Sequence, residues 1–265
     1  MEFKRYRTRI LISRLPRVLF YFVSFYYVFI RYFFREKTYI IISPGKVGSG
    51  SLYHHLRSLG HKGSIHIHYL NRERIEREFD LERSGQRRSA PWHLYVSFWL
   101  TQFMKHFPKK KLKVVILVRE GATRYVSSVF QNIGRLGREI FDLSSGEINY
   151  DKISEHILNN SKNDIASLED YIREELQIFF EINIANLKMH SIVSTKYATA
   201  LYTNLFDKES VKVLESYLGV DCSSIQKTNI GSSKFYSVHY DKLRKEVLLE
   251  ISPMYIEIND SLKIT

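Results

Sequence analysis

Apolar positions along the chain change their spacing several times, and each change predicts an element. Lys113–Val118 (KVVILV) is a nearly unbroken apolar run, and Thr38–Ile42 (TYIII) is a shorter β-branched run entering a Pro-Gly turn. Both read as strands buried on two faces, as in a parallel sheet. Ser64–Leu70 (SIHIHYL) alternates, with Ile65, Ile67 and Tyr69 on one face and His66 and His68 on the other. Tyr197–Tyr202 (YATALY) is a further core strand. Helical spacing fills the intervals at Ser49–Leu59, stopped by Gly60, at the charged stretch 71–86, at the aromatic-rich Trp92–His106, at Ala122–Ile133, over 150–185 and over Phe206–Leu218.

Strands alternating with helices predict an α/β protein whose mainly parallel sheet is covered by helices, with its sites at the carboxyl ends of the strands. The expected organisation is a basic, aromatic segment over residues 1–37, including a hydrophobic helix, followed by one catalytic unit over residues 38–265. The 265 residues are 44% hydrophobic with 18 Tyr and 17 Phe, enough for a large core, and 5 Pro with 12 Gly argue against long disordered stretches.

Charge separates the two parts. The chain carries +12, and nine basic residues against Glu2 and Glu36 place +7 of it in residues 1–37. The remaining +5 is modest, and no nucleic-acid module appears, so anionic lipid for the N-terminus and phosphates for the body is the more economical division. The single cysteine, Cys222, allows no intramolecular disulfide and favours a reducing compartment. Thirteen uncharged residues, Val18–Ile30 (VLFYFVSFYYVFI), lie between Arg14 and Arg17 on one side and Arg31 and Arg35 on the other. They are short of the ~20 that a span needs and rich in the Tyr and Phe of membrane interfaces. Three outcomes remain open: a helix lying on an anionic membrane surface, a true span with snorkelling arginines, or a helix packed on the protein's own core. No small-residue cleavage site follows, so a removable signal peptide is not expected. The expected location is cytoplasmic, at the inner face of the membrane.

The turn after the first strand, Ser43-Pro44-Gly45-Lys46-Val47-Gly48-Ser49-Gly50-Ser51-Leu52, stands where unpaired N–H groups and a helix dipole receive an anion. Gly48 and Gly50 let backbone wrap a phosphate, Ser49 and Ser51 supply hydroxyl donors, and Lys46 supplies charge. The Lys precedes the Gly-Ser-Gly-Ser run, whereas a nucleoside-triphosphatase loop places Lys and Ser/Thr after its second Gly. The order is that of the 5′-phosphosulfate loop of sulfotransferases, close to P-K-x-G-[ST]-x-[ST], with Gly45 inserted between Pro44 and Lys46. A second strand end carries Arg119, with Ser127 eight positions later on the next helix, and sulfotransferases use such a pair for the 3′-phosphate.

Together these stretches resemble a bacterial family of capsular polysaccharide synthesis proteins related to sulfotransferases. That family is marked by an Asn-Lys-Trp-Tyr-Ser motif, which stands here as Ser233-Lys234-Phe235-Tyr236-Ser237. Further similar stretches are Lys46–Leu52, His66–Leu70, Arg119–Asn132 and Phe179-Phe180-Glu181, spread over roughly residues 38–240. Ser233 and Phe235 depart from the motif. The resemblance implies a P-loop-like sulfotransferase fold, 3′-phosphoadenosine-5′-phosphosulfate as donor, and Lys234 and Tyr236 closing over the 3′-phosphate. It also implies an acceptor hydroxyl on a surface polysaccharide, although the mixed residues 135–190 suit a sugar or a lipid headgroup equally well. The expected nucleotide contacts are Lys46, Val47, Gly48, Ser49, Gly50, Ser51, Leu52, Arg119, Ser127, Lys234 and Tyr236.

Sulfuryl transfer needs a base for the attacking hydroxyl and cations at the departing oxygen. The His66-x-His68 pair resembles that of Golgi-type polysaccharide 2-O-sulfotransferases. His68 is expected as base with His66 in support, the roles of the two being interchangeable at this point, and Lys46 at the bridging oxygen. Glu120 and Glu73 are fallback bases. No metal is expected, since protein cations activate the donor. Two other readings stay open: a magnesium-dependent kinase or NTPase with a degenerate P-loop, and a membrane-attached assembly protein without activity.

Overall fold

The computed structural model describes residues 17–84, 92–108, 112–142, 145, 147–183, 187–205, 208–225 and 237–264. Along the chain run α1 (Arg17–Phe33), β1 (Tyr39–Ile42), α2 (Ser49–Ser58), β2 (Ile65–Ile67), α3 (Arg72–Arg83), α4 (Trp92–His106), β3 (Lys113–Leu117) and α5 (Gly121–Gln131). They are followed by α6 (Tyr150–Ile172), which runs on as a π-helical turn over Arg173–Phe179. Then come β4 (Ile192–Ser194), β5 (Thr199–Thr203), α7 (Lys208–Leu218) and α8 (Ser237–Ile264). The five strands form one sheet in the order β2-β1-β3-β5-β4. All pairs are parallel except β4 with β5, so the expected α/β architecture is observed.

Strand residues alternate between two cores because successive side chains leave a strand on opposite faces. Ile40, Ile42, Val114 and Ile116 point to one side, where α1, α4 and the π-helical turn contribute Val28, Tyr32, Leu100, Met104 and Phe180. Tyr39, Ile41, Val115 and Leu117 point to the other, against Leu52 and Leu56 of α2 and Leu214 and Leu218 of α7. Cys222 lies buried in this second core. A third apolar cluster joins α5, α6 and α8 through Val126, Phe130, Ile153, Ile157, Leu243, Val247 and Ile251.

The N-terminal helix α1 belongs to the first core. Val28 and Tyr32 are wholly buried, Tyr32 donates its hydroxyl to the Phe107 carbonyl at 2.7 Å, and Trp99 of α4 donates its indole N–H to the Tyr21 carbonyl at 3.0 Å. Its other face carries Val18, Phe22, Tyr26 and Ile30 into solvent. Among the described residues, no helix is long and apolar enough to cross a membrane.

The strand order decides where a ligand can sit. From β1 the chain passes through α2 to β2 on one side, then crosses back through α3 and α4 to β3 on the other side of β1. β1 and β3 therefore flank the topological switch point, the place where open α/β sheets receive their ligands.

Candidate functional site

The loop leaving β1 owes its path to three left-handed residues, Gly45 (φ 86°), Lys46 (φ 61°) and Gly48 (φ 83°). The inserted Gly45 is thus used for its freedom at positive φ. A lysine in the left-handed region is uncommon and carries backbone strain, a feature that gathers at binding sites. Val47 anchors the loop by burying its side chain completely in the α2-side core, so only its backbone can meet a ligand. Gly48 is the N-cap of α2, and no side chain caps the helix. The helix therefore presents its first N–H groups and the positive end of its dipole toward the switch point.

The hydroxyls behind the loop are ordered. Ser43 Oγ accepts from Gly45 N at 3.4 Å and donates to Ser49 Oγ at 2.9 Å, leaving Ser49 its own proton to give. Ser51 and Leu52 N–H groups both turn to Gly48 O, at 2.9 and 3.3 Å. Leu52 also buries its side chain in the core, so it supports the loop and offers a ligand neither side chain nor N–H.

His66 is the middle residue of β2, opposite Ile41, and His68 lies one residue beyond the strand. Their rings are 5.1 Å apart, confirming a shared face. His68 Nδ1 is 2.9 Å from the Ser43 carbonyl. A carbonyl only accepts, so Nδ1 carries the proton and Nε2 keeps a lone pair. Burial is the main cause lowering the pKa of His68; the nearby Lys46 charge lowers it further and the Ser43 bond opposes both. The ring is neutral near pH ~7, as a base must be. His66 is pushed down to about 3 by burial and then by His68 and His54, and its Nε2 is buried without a hydrogen-bond partner. Of the two, His68 is the ring placed against the loop.

Arg119 lies two residues beyond the end of β3. Its Nη1 donates to the Lys46 carbonyl at 3.2 Å, bringing both sequence-predicted anion sites together. Burial works against its charge, while Tyr240 of α8, by hydrogen bond and charge, and Glu120 favour it; Arg244 is close enough to oppose it. Ser127 is half-exposed on α5, two turns from the helix start. No family model, curated protein or solved structure matches the chain.

The structure also separates residues that were expected to act alike. Glu120, a fallback base, spends its carboxylate on capping α5: Oε1 accepts from Ala122 N and Oε2 from Thr123 N, each at 2.7 Å, and Oε2 also takes the Thr123 hydroxyl. Glu73 lies exposed in the first turn of α3. Lys234 and Tyr236 fall outside the described residues. Among the described residues no group of three His, Cys, Asp or Glu side chains is arranged to hold a metal ion.

Three contributors had no sequence signal. His93, at the start of α4, stands edge-on to His68 with centroids 4.6 Å apart. Glu175, in the π-helical turn, accepts from Leu70 N at 2.6 Å and Asn71 N at 3.0 Å, pinning the chain just beyond His68. Burial raises its pKa to about 8 against those two bonds and the Arg74 charge. Tyr240 steadies Arg119 from a helix more than a hundred residues downstream. A π-helical turn, common at functional sites, is recognisable only from coordinates.

Proposed function

We propose that this chain transfers a sulfuryl group from 3′-phosphoadenosine-5′-phosphosulfate to a hydroxyl of a glycan acceptor, on a P-loop-like sulfotransferase fold. The observation that carries the reading is the Arg119 bond to the Lys46 carbonyl, which sets a Lys-first, glycine-capped loop beside a second cation at the sheet's switch point. A nucleotide with phosphates at both 5′ and 3′ positions matches two anion sites held side by side. A surface or capsular polysaccharide as acceptor follows from the family resemblance.

In this reading the 5′-phosphate end of the donor lies over Gly48–Gly50 at the start of α2, and Arg119 with Ser127 receives the 3′-phosphate. The acceptor oxygen attacks sulfur, forming the new S–O bond as the bond from sulfur to the bridging phosphate oxygen breaks. His68 Nε2 takes the acceptor proton, its tautomer held by Ser43. The Lys46 ammonium meets the negative charge arriving on the departing phosphate, where electrostatic stabilisation matters most. His66 and His93 pack around the base.

A thermal-shift comparison tests the reading. 3′-Phosphoadenosine-5′-phosphate without metal is expected to raise the melting temperature, by a stabilisation of about 2.7 kcal/mol at a hundredfold excess over Kd. ATP with magnesium and adenosine 5′-phosphate are expected to do much less. Stabilisation by magnesium-ATP alone would move the chain to the phosphoryl-transfer class. Tight binding of the bisphosphate with no transfer of labelled sulfate to any glycan would favour a binding protein.

A further inference from the structure

The helix α1 has two apolar faces, and the described residues cover only one. Val28, Tyr32 and Phe20 are buried, with Phe25 and Phe29 stacked on each other and edge-on to Phe103 of α4. On the opposite face Val18, Phe22, Tyr26, Ile30 and Phe34 follow one another at four-residue steps, with Leu19 and Val23 beside them. All are exposed, Val18 and Phe34 by 66% and 71%. Four-residue steps keep side chains on one face, so the row extends about 24 Å along the helix. An uncovered apolar row of this size on a folded protein marks a contact surface.

The chemistry around the row names the partner. From Phe3 to Arg35 the sequence contains no acidic residue, and Lys4, Arg5, Arg7, Arg9, Arg14 and Arg17 precede the row while Arg35 and Lys37 follow it. Arg35 and Lys37 are exposed, as are Lys105 and His106 at the end of the packed helix α4. A second copy joined through the same row about a two-fold axis would set these cations against one another, with Glu36, between Arg35 and Lys37, the one carboxylate among those flanking the row. Tyr and Phe with flanking Lys and Arg are what a lipid interface accepts, rings at headgroup depth and cations at the phosphates.

We propose that α1 lies flat on an anionic lipid surface, its outward row inserted at the interface, Arg35 and Lys37 at the headgroups, and the basic residues before it in sequence adding positive charge. Because the inner face of α1 is part of the core, docking fixes the whole molecule at the surface. Tyr27, on the flank of the row, shares a hydrogen bond of 3.2 Å with Tyr53 of α2, and Arg31 stacks over the Tyr27 ring at 3.5 Å. The helix that carries the glycine-capped loop is thereby held beside the lipid-facing one.

Flotation of the full chain with vesicles tests this independently of any enzymatic reading. The protein is expected to rise with an equimolar phosphatidylcholine–phosphatidylglycerol mixture and to remain at the bottom of the gradient with phosphatidylcholine alone. Replacing exposed Phe22 and Tyr26 by Asp should weaken flotation by at least about tenfold. Each of Lys4, Arg5, Arg7 and Arg9 changed to Gln should cost about fivefold. An unchanged melting temperature of the Asp variant shows that α1 still packs. A wild-type chain that stays at the bottom with both vesicle types overturns the proposal, as does equal flotation of the folded Asp variant. A concentration-dependent dimer in sedimentation equilibrium, abolished by the same Asp changes in a chain that ignores vesicles, would instead assign the row to a second copy.

Discussion

The two strand–helix junctions at the switch point share a topology and differ in how the helix start is satisfied. At β1–α2 the N-cap is Gly48 in a left-handed conformation, and no side chain caps the helix. At β3–α5 the N-cap Glu120 reaches forward to the N–H groups of Ala122 and Thr123. The first junction keeps its helix dipole for an incoming anion. The second has filled that place with its own carboxylate, so in the proposed reading its phosphate is met by the Arg119 guanidinium. In that reading one junction binds with backbone and the other with a side chain. A backbone site can follow a phosphate through changes of charge during a reaction, whereas a guanidinium holds an unreacting phosphate in place.

That difference predicts a division of labour. Lys46→Ala, in the first junction, and His68→Ala, at the histidine hydrogen-bonded to it, are each expected to lower kcat by about two orders of magnitude or more, with the circular-dichroism spectrum and melting curve unchanged. Near-normal turnover in His68→Ala would remove the histidine from the chemistry. Arg119→Ala should weaken binding of 3′-phosphoadenosine-5′-phosphate by about ten- to hundredfold, the value of a charged hydrogen bond, and leave kcat at saturation largely intact. Calorimetric titration showing unchanged affinity would erase the distinction between the junctions.

Acid should act mainly on the first junction. His66 and His68 both titrate below the ordinary imidazole value in the folded chain, His66 at about 3. On acidification the unfolded chain therefore takes up protons first. The stability tied to the neutral rings is complete above pH ~6.5 and declines below it, by up to about 1.4 kcal/mol per pH unit for each histidine. Urea midpoints measured over that range should fall less steeply for His66→Asn. The smallest effect belongs to the second junction, where Glu120→Ala is expected to cost about 1 kcal/mol of stability through the lost cap. A large loss of turnover in that variant would show that the carboxylate does more than cap.

The same contrast explains what could be read from the residues alone. The cores of β1 and β3 stand where the apolar runs placed them, because a strand covered on both faces must be apolar at every position. Gly45, Lys46 and Gly48 were legible as a glycine-rich strand-to-helix turn, and they stand between β1 and α2 with all three in the left-handed region. β4 left no such trace: its three residues form an edge strand with Ile192 and Ser194 exposed, and burial imposes no pattern there. The strand expected over Ser64–Leu70 shrinks to Ile65–Ile67, because Glu175 draws the backbone N–H groups of Leu70 and Asn71 out of the sheet. Glu120 read as a base because its role as a cap depends on a side-chain turn. His93, Glu175 and Tyr240 reach the site across tens to more than a hundred residues of chain, and spacing carries no information at that range. The one long-range feature that was legible, the convergence of the Lys46 and Arg119 loops, follows from topology: neighbouring parallel strands deliver their loops to the same edge.

The approach of α8 to the second junction has a consequence for how the protein is made. Gly121, the first residue of α5, lies under the Tyr255 ring of α8 so closely that a Cβ there would collide with it. Tyr255 in turn donates to Asp164 at 2.9 Å, and Asp164 pairs with Arg124. Tyr240, in the first turn of α8, is hydrogen-bonded to Arg119. A ribosome that has released the chain only as far as Cys222 has already delivered every strand, the glycine-capped loop and both strand histidines. It has not delivered the helix that orients the arginine. The nascent polypeptide can thus assemble its sheet early, yet Arg119 gains its Tyr240 partner only when α8 docks, so that under the proposed function competence for the nucleotide waits on the synthesis of α8.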